Sequence, residues 1–351
     1  MLLFIAALSH AAEIKPHQGV ADADGKTVWY DGELLTIEGK GWQDTKSYYD
    51  RLPAKAEGKV TKHVWNLSHH SAGMNLRFST DADTIKVKWA LINKDLAMPH
   101  MAATGVSGVD LYAKTIEGWR FLHNGRPKAD TNLVRFTLNG ADEYILYLPL
   151  YNGIKMLKVG VSKDKRLFTI PADKKRQKKT IVFYGTSITQ GGCASRPGTA
   201  FTNIVSRKLD APVINLGFSG NGKMELVMAN LIAELDPAVY VLDCLWNMNQ
   251  QMISERFEPF IRKLRAKKPN TPIVLAEDSS VNDISPTEKG KAAHAIYEKL
   301  LKEGMTNLYY LPNKGMLGTD GEGTVDGCHP TDLGMMRMAD VFTEFLKKIV
   351  K

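Results

Sequence analysis

From about Thr27 to Ile170, apolar and polar positions alternate in short runs rich in β-branched and aromatic residues. Asn75–Ser79, Thr84–Trp89, Leu133–Leu138 and Glu143–Leu148 are examples, separated by Gly, Asn and Asp turn signals such as Asn139-Gly140. Successive side chains of a strand point to opposite faces, so this pattern predicts half-buried antiparallel strands. Their number and close spacing predict a β-sandwich, jelly-roll-like domain over residues 25–172. No helical period is visible in this half.

A charged stretch without apolar anchors, Pro171–Lys179, follows and predicts a solvated linker. Beyond it the pattern changes to short apolar runs alternating with helical spacing. Strands are predicted at Thr180–Tyr184, Val213–Leu216, Val239–Asp243, Ile273–Ala276 and Leu308–Leu311. Phe201, Ile204, Val205 and Leu209 mark one helix, and Phe257, Phe260, Ile261 and Leu264 a second. Ala292, Ala293, Ile296, Tyr297, Leu300 and Leu301 mark a third; Thr331 caps a last helix carrying Leu333, Ala339, Phe342, Phe345, Leu346 and Ile349. Repeated β-α units predict a doubly wound parallel sheet over residues 178–351, with its chemistry at the carboxyl ends of the strands.

Composition changes this picture little. The chain has 351 residues, enough for two domains, with 44% hydrophobic and 24% charged residues, which excludes wholesale disorder, collagen and coiled coil. Its 46 Lys and Arg against 38 Asp and Glu leave a formal charge of +8, but the charges are interspersed, so no nucleic-acid partner is implied. The three cysteines are too few for a disulfide scaffold, and none has a zinc-ligand spacing. Met1–Leu8 is apolar and is followed by small Ser9 and Ala11, which predicts a signal peptide over residues 1–12 and export to the periplasm or the exterior. The run is too short to span a bilayer, and no transmembrane segment is predicted.

The predicted strand ends carry four groups of residues. Gly185-Thr186-Ser187-Ile188 puts a hydroxyl on a tight strand-to-loop turn. Asn215-Leu-Gly217-Phe-Ser219-Gly220-Asn221-Gly222 is a loop able to aim backbone N–H groups at one point, and Trp246-Asn247 brings a side-chain amide to the same edge. Asp326-Gly-Cys-His329-Pro330 sets a carboxylate and an imidazole three residues apart. Acyl transfer needs these types: an imidazole to take the serine proton, a carboxylate to orient the imidazole, and donors for the oxyanion.

These blocks resemble those of the SGNH hydrolases, also called GDSL-type esterases and lipases, over roughly Lys178–Lys351. The resemblance implies a flavodoxin-like α/β fold with Ser187 as nucleophile, His329 as base and Asp326 as its orienter. It implies an oxyanion hole made of the Ser187 N–H, the Gly220 N–H and the Asn247 side chain. Thr186 replaces the family's usual Asp, and Leu245 and Met248 flank Trp246-Asn247 where Gly-x-Asn-Asp is usual, so Asn249 stays open as the alternative donor. Gly108-Val-Asp110-Leu-Tyr112 resembles the signature of a β-rich N-terminal domain found in front of some SGNH esterases. Related two-domain arrangements occur among carbohydrate esterases, which implies removal of small acyl groups, acetyl above all, from sugars.

Other residues carry two readings each. Trp246 stacks on a sugar face or fills the core. His100, in a loop-like stretch before the Gly-x-Asp-Leu-Tyr motif, reaches the site or serves the fold. Asp110 is a structural acceptor, His69-His70 a turn or surface pair, and Cys193 and Cys328 buried bystanders. The expected activity is hydrolysis of a small-molecule or carbohydrate ester through an acyl-enzyme, with no cofactor or metal. The rival readings are a lipase or phospholipase and a non-catalytic carbohydrate-binding protein. The oligomeric state is left open.

Overall fold

The computed structural model describes residues 11–350. All but the last two residues of the expected signal peptide therefore lie outside the described residues. The first half is built from strands β1 (Ala12–Glu13), β2 (Val20–Ala21), β3 (Thr27–Asp31), β4 (Thr36–Glu38), β5 (Asn75–Thr80), β6 (Thr84–Leu91), β7 (Val109–Thr115), β8 (Gly118–Gly125), β9 (Thr131–Thr137), β10 (Tyr144–Tyr147), β11 (Ile154–Ser162) and β12 (Leu167–Thr169). One antiparallel sheet runs β1-β12-β5-β10-β7-β8, with β4 also on β5; the other runs β2-β3-β11-β6-β9. Leu76, Phe78, Leu111, Tyr144 and Leu146 from the first meet Ile85, Val87, Trp89, Leu157 and Val159 from the second in one core. That shared core is the physical reason for the period-two pattern.

β10 is buried along its whole length. Tyr144 and Leu146 face the sandwich core. Ile145 and Tyr147 gather with Tyr112 on the opposite face, where Arg207 from the second half lies over both tyrosine rings. The outer face of this sheet is therefore an internal surface of the molecule.

The second half contains β13 (Ile181–Gly185), β14 (Val213–Gly217), β15 (Val239–Asp243), β16 (Ile273–Ala276) and β17 (Leu308–Leu311). They form a parallel sheet in the order β14-β13-β15-β16-β17, the flavodoxin-like order. Alternate residues feed two cores: Val182, Tyr184, Tyr240 and Leu242 pack with helix Glu258–Lys267, and Ile181, Phe183, Val239 and Val241 with helices Phe201–Leu209 and Asp332–Leu346. Thr331 caps the last helix as expected, accepting from the Gly334 N–H.

Two expectations are corrected. The first half does contain helix, at Lys62–Ser68 and Ala103–Val106. These pieces are too short to display a 3.6-residue period, and the first is set by its Thr61 cap and by burial of Val64 and Trp65. Trp42, Leu52, Val60, Val64 and Trp65 belong to the same core as Phe257 and Phe260, so this segment packs on the second half. The stretch Pro171–Lys179 is not simply solvated either: Lys174–Gln177 is a helical turn, and buried Arg176 pairs with Glu38 and Asp210. Among the described residues no helix is long and apolar enough to cross a membrane.

Candidate active site

The site lies at the carboxyl ends of β13, β14 and β15. β13 stops at Gly185, where a Cβ would stand 2.1 Å from Thr189 Oγ1 and 2.5 Å from the Asp243 carbonyl oxygen, so only glycine fits. The next turn is braced by side chains. The Thr186 hydroxyl accepts from the Ile188 N–H at 3.2 Å, and the Thr189 hydroxyl accepts from the Thr186 N–H at 3.1 Å and donates to the Asp243 carboxylate at 2.7 Å. Ser187 is thereby fixed as the first residue of a single helical turn, Ser187–Gln190.

Ser187 Oγ lies 2.9 Å from His329 Nε2, and His329 Nδ1 lies 2.8 Å from Asp326 Oδ2. The other Asp326 oxygen accepts from the His329 N–H at 2.8 Å and the Cys328 N–H at 3.0 Å. Partial burial raises the Asp326 carboxyl, but these N–H donors and the ring outweigh it and bring it down to about 2. An ionised carboxylate accepts the Nδ1–H, which leaves Nε2 as the acceptor facing the serine hydroxyl.

Opposite these groups the loop after β14 turns on itself, with Phe218 O accepting from the Asn221 N–H at 2.8 Å and the Gly222 N–H at 3.0 Å. Gly220 takes φ +67° at its tip. The Ser187 and Gly220 N–H groups have no hydrogen-bond partner among the described residues. Asn247 faces this loop: the amide orientation that satisfies its neighbours has its oxygen accepting from the Asn221 and Gly222 N–H groups at 3.1 and 3.2 Å, which frees the NH₂ on the other side. Asn249 instead caps the following turn, accepting from the Met252 N–H at 2.8 Å.

His100 reaches this region from the first half, its ring centroid 5.3 Å from that of His329. Trp246 is half-buried, with its indole N–H committed to Ser279 Oγ at 3.0 Å and the Lys289 ammonium 5.6 Å from its ring. Burial and the neighbouring Asp326 carboxylate push the Cys193 thiol up to about 12 and the Cys328 thiol up to about 11. Neither is a ready thiolate at neutral pH. His69 and His70 diverge as neighbours on a turn: His69 pairs with Asp50 at 3.0 Å, while His70 turns inward.

Most of the supporting groups carried no motif. Fully buried Arg51 donates only to carbonyls, those of Leu67, His70, Asn215 and Gly217. Tyr151 Oη donates to the Ser187 carbonyl at 3.0 Å. Gln190 bonds His70 Nδ1 and the Leu150 carbonyl, and its own oxygen accepts from the Ser219 N–H. Burial and the Arg51 cation push His70 down to about 3, so its Nδ1 is free to accept. Asp110 accepts from Arg196 and the Gly198 N–H, both at 2.8 Å, and from Asn124 at 2.6 Å. Tyr112 Oη accepts from Arg196 at 2.7 Å, so the Asp-Leu-Tyr signature grips the loop that follows the serine turn.

Residues 178–347 match the family model of the GDSL-like lipase/acylhydrolase family, and residues 27–167 that of the GxDLY N-terminus of SGNH-hydrolase-type esterases. A GDSL-like lipase from Bacteroides ovatus is 34% identical over 92% of this chain and 98% of its own, with a TM-score of 0.85. A salicylyl-acyltransferase from a tetracycline biosynthetic pathway shares the fold at 18% identity, covering 95% of this chain and 98% of its own, with a TM-score of 0.73. A family two carbohydrate esterase from Clostridium thermocellum does so at 15% identity, covering 79% and 92%, with a TM-score of 0.58. No curated protein matches the chain. With its parallel α/β half, its antiparallel first half and this full-length similarity, the chain belongs to the GDSL-like, or SGNH, hydrolases and is a carboxylic ester hydrolase of that kind.

Proposed function

We propose that the protein removes small acyl groups, acetyl foremost, from carbohydrate through an acyl-enzyme on Ser187. The observation that carries this reading is the continuous relay from Ser187 Oγ through His329 to Asp326. As Oγ attacks the ester carbonyl its proton passes to His329 Nε2, and the Asp326 carboxylate stabilises the imidazolium. The Ser187 N–H, the Gly220 N–H and the Asn247 NH₂ receive the oxyanion; one such donor is typically worth about 10²–10³ in kcat. Collapse expels the alcohol, which takes the proton from His329, and water then repeats the sequence on the acyl-enzyme.

The small acyl group rests on the likeness of the fold to that of a family two carbohydrate esterase. The sugar alcohol is our reading of an open face that offers exposed His100 and half-buried Trp246. The same reading divides the chain at 25–172 and 178–351, with the first unit a jelly roll. In its support, numbering β3 and β5–β11 from one to eight gives sheets ordered 1-8-3-6 and 2-7-4-5, the order of a double Greek key. It also places the enzyme outside the cytoplasm, on the apolar start of the sequence.

Ser187→Ala should abolish hydrolysis of p-nitrophenyl acetate while leaving thermal unfolding unchanged; undiminished turnover would overturn the role of Ser187. Acetate release from O-acetylated oligosaccharides should exceed release of long-chain acids from matched esters. A preference for the long chains would replace this reading with a lipase.

A further inference from the structure

His100, Cys193 and His329 come from three separate segments and two halves of the chain, yet their ligand atoms all lie within 4.8 Å of one another. Of these three the proton relay above uses only His329. Two imidazoles and one thiol form a nitrogen and sulfur donor set of the type that selects zinc over magnesium or calcium. His329 is already arranged as metal-binding histidines are, with one ring nitrogen held by a carboxylate: Asp326 takes Nδ1 at 2.8 Å and leaves Nε2 toward Ser187. Ser187 Oγ stands 2.9 Å from that Nε2, so an oxygen is available near a fourth vertex.

We propose that His100, Cys193 and His329 form an inhibitory zinc site, in which one Zn²⁺ occupies His329 Nε2 and so removes the base that Ser187 needs. Zn–N bonds of about 2.0–2.1 Å and Zn–S bonds of about 2.3 Å bring tetrahedral ligands closer than the present spread, by roughly 1 Å. The exposed His100 side chain supplies that movement. Binding replaces the Cys193 S–H bond by a zinc–thiolate bond and releases one proton to water. Ser187 Oγ or a water fills the remaining position. The inhibitory consequence rests on the hydrolase reading above; the metal site itself does not.

The test uses the whole protein after chelator treatment. Added Co²⁺ should give a thiolate-to-cobalt absorption band that Zn²⁺ displaces and that Cys193→Ala lacks. Zn²⁺ should suppress p-nitrophenyl acetate hydrolysis, and EDTA should restore it. Cys193→Ala should keep its hydrolysis but need at least about tenfold more zinc for the same suppression, and His100→Gln, on an exposed side chain that the fold does not need, should weaken Co²⁺ binding by at least about tenfold. Absence of the band in the unmodified protein, or equal zinc sensitivity in the unmodified protein and Cys193→Ala, overturns the site. Binding without the thiolate band, through others of the nine histidines, counts against it equally. A protein that shows the band but hydrolyses no ester would retain the metal site and lose the proposed function.

Discussion

The two halves of the molecule bring different kinds of polar group to the same place. The α/β half contributes the groups proposed to react, two of them partly open to solvent: the His329 side chain keeps 20% of its exposure and Asp326 keeps 38%. Apart from exposed His100, the β-rich half contributes groups that are sealed and saturated. Arg51, 1% exposed, is held by four backbone carbonyls, and Asp110, with no exposure, by Arg196, Asn124 and the Gly198 N–H. A group at a reacting centre is left able to change its partner, whereas a holding group must have all its partners, because any orphan would be buried with it. Removing the first kind should therefore cost rate, and removing the second kind should cost stability.

The largest effect tests the first half of that contrast. His329→Ala should lower kcat by at least about 10⁴ and shift the unfolding free energy by less than about 1 kcal/mol, read from ester hydrolysis and urea unfolding on the same sample. A large loss of stability would make His329 a holding group and erase the distinction.

Arg51→Met tests the other half. It removes the guanidinium donor from the Leu67, His70, Asn215 and Gly217 carbonyls, of which Leu67 still accepts from the His70 N–H, and urea unfolding should show a destabilisation of about 1–3 kcal/mol. Because Gly217 leads into the Gly220 loop, kcat should fall as well, though far less than for His329. A stability change under about 1 kcal/mol would show that water replaces the guanidinium without penalty.

Asp110→Asn keeps the shape and removes the charge opposite Arg196. Burial pushes this carboxyl upward while Arg196 and the Asn124 and Gly198 donors pull it back, so the pair is held by compensation. The expected loss is about 2 kcal/mol in unfolding free energy and about tenfold in kcat/KM, roughly 1.4 kcal/mol. Loss of activity with no loss of stability would move Asp110 into the reacting group.

A dependence on pH tests the brace on the serine turn. Desolvation pushes the Asp243 carboxyl up to about 6 from its ordinary 3.8, against the pull of the Thr189 hydroxyl. Its folded value is raised, so the folded state holds the proton more tightly than the unfolded chain, and stability rises as pH falls from about 6 toward 3.8. Relative to Asp243→Asn, the unmodified protein should lose on the order of 2–3 kcal/mol between pH 4 and pH 8. Parallel stability curves for the two proteins would remove Asp243 from the brace on the serine turn.

Much of this contrast follows the reach of local patterns. The five parallel strands lie within one residue of the expected positions, because each is a short, mainly apolar run feeding cores on both faces. Ser187, Asp326 and His329 could be selected because the turn geometry and the three-residue spacing of Asp326 and His329 are written in adjacent residues. The Lys62–Ser68 helix escaped because two turns expose too little period. Arg176 read as part of a charged linker because its partners Glu38 and Asp210 stand far away in sequence. Register with the strand favours Asn247 and leaves Asn249 open, and the folded loop turns the first toward Asn221 and Gly222 and the second into a cap.

By itself the sequence determined a β-rich half, an α/β half and the set of groups proposed to react at the strand ends, all properties of contiguous residues read through the periods of strand and helix. Tertiary structure alone decided what holds those groups. Arg51 meets Gly217 across 166 positions, Asp110 meets Arg196 across 86, and Tyr151 meets Ser187 across 36. A hydrogen bond between distant residues leaves no mark on local periodicity. Its donors and acceptors become partners only when packing removes the water that would otherwise satisfy each of them separately.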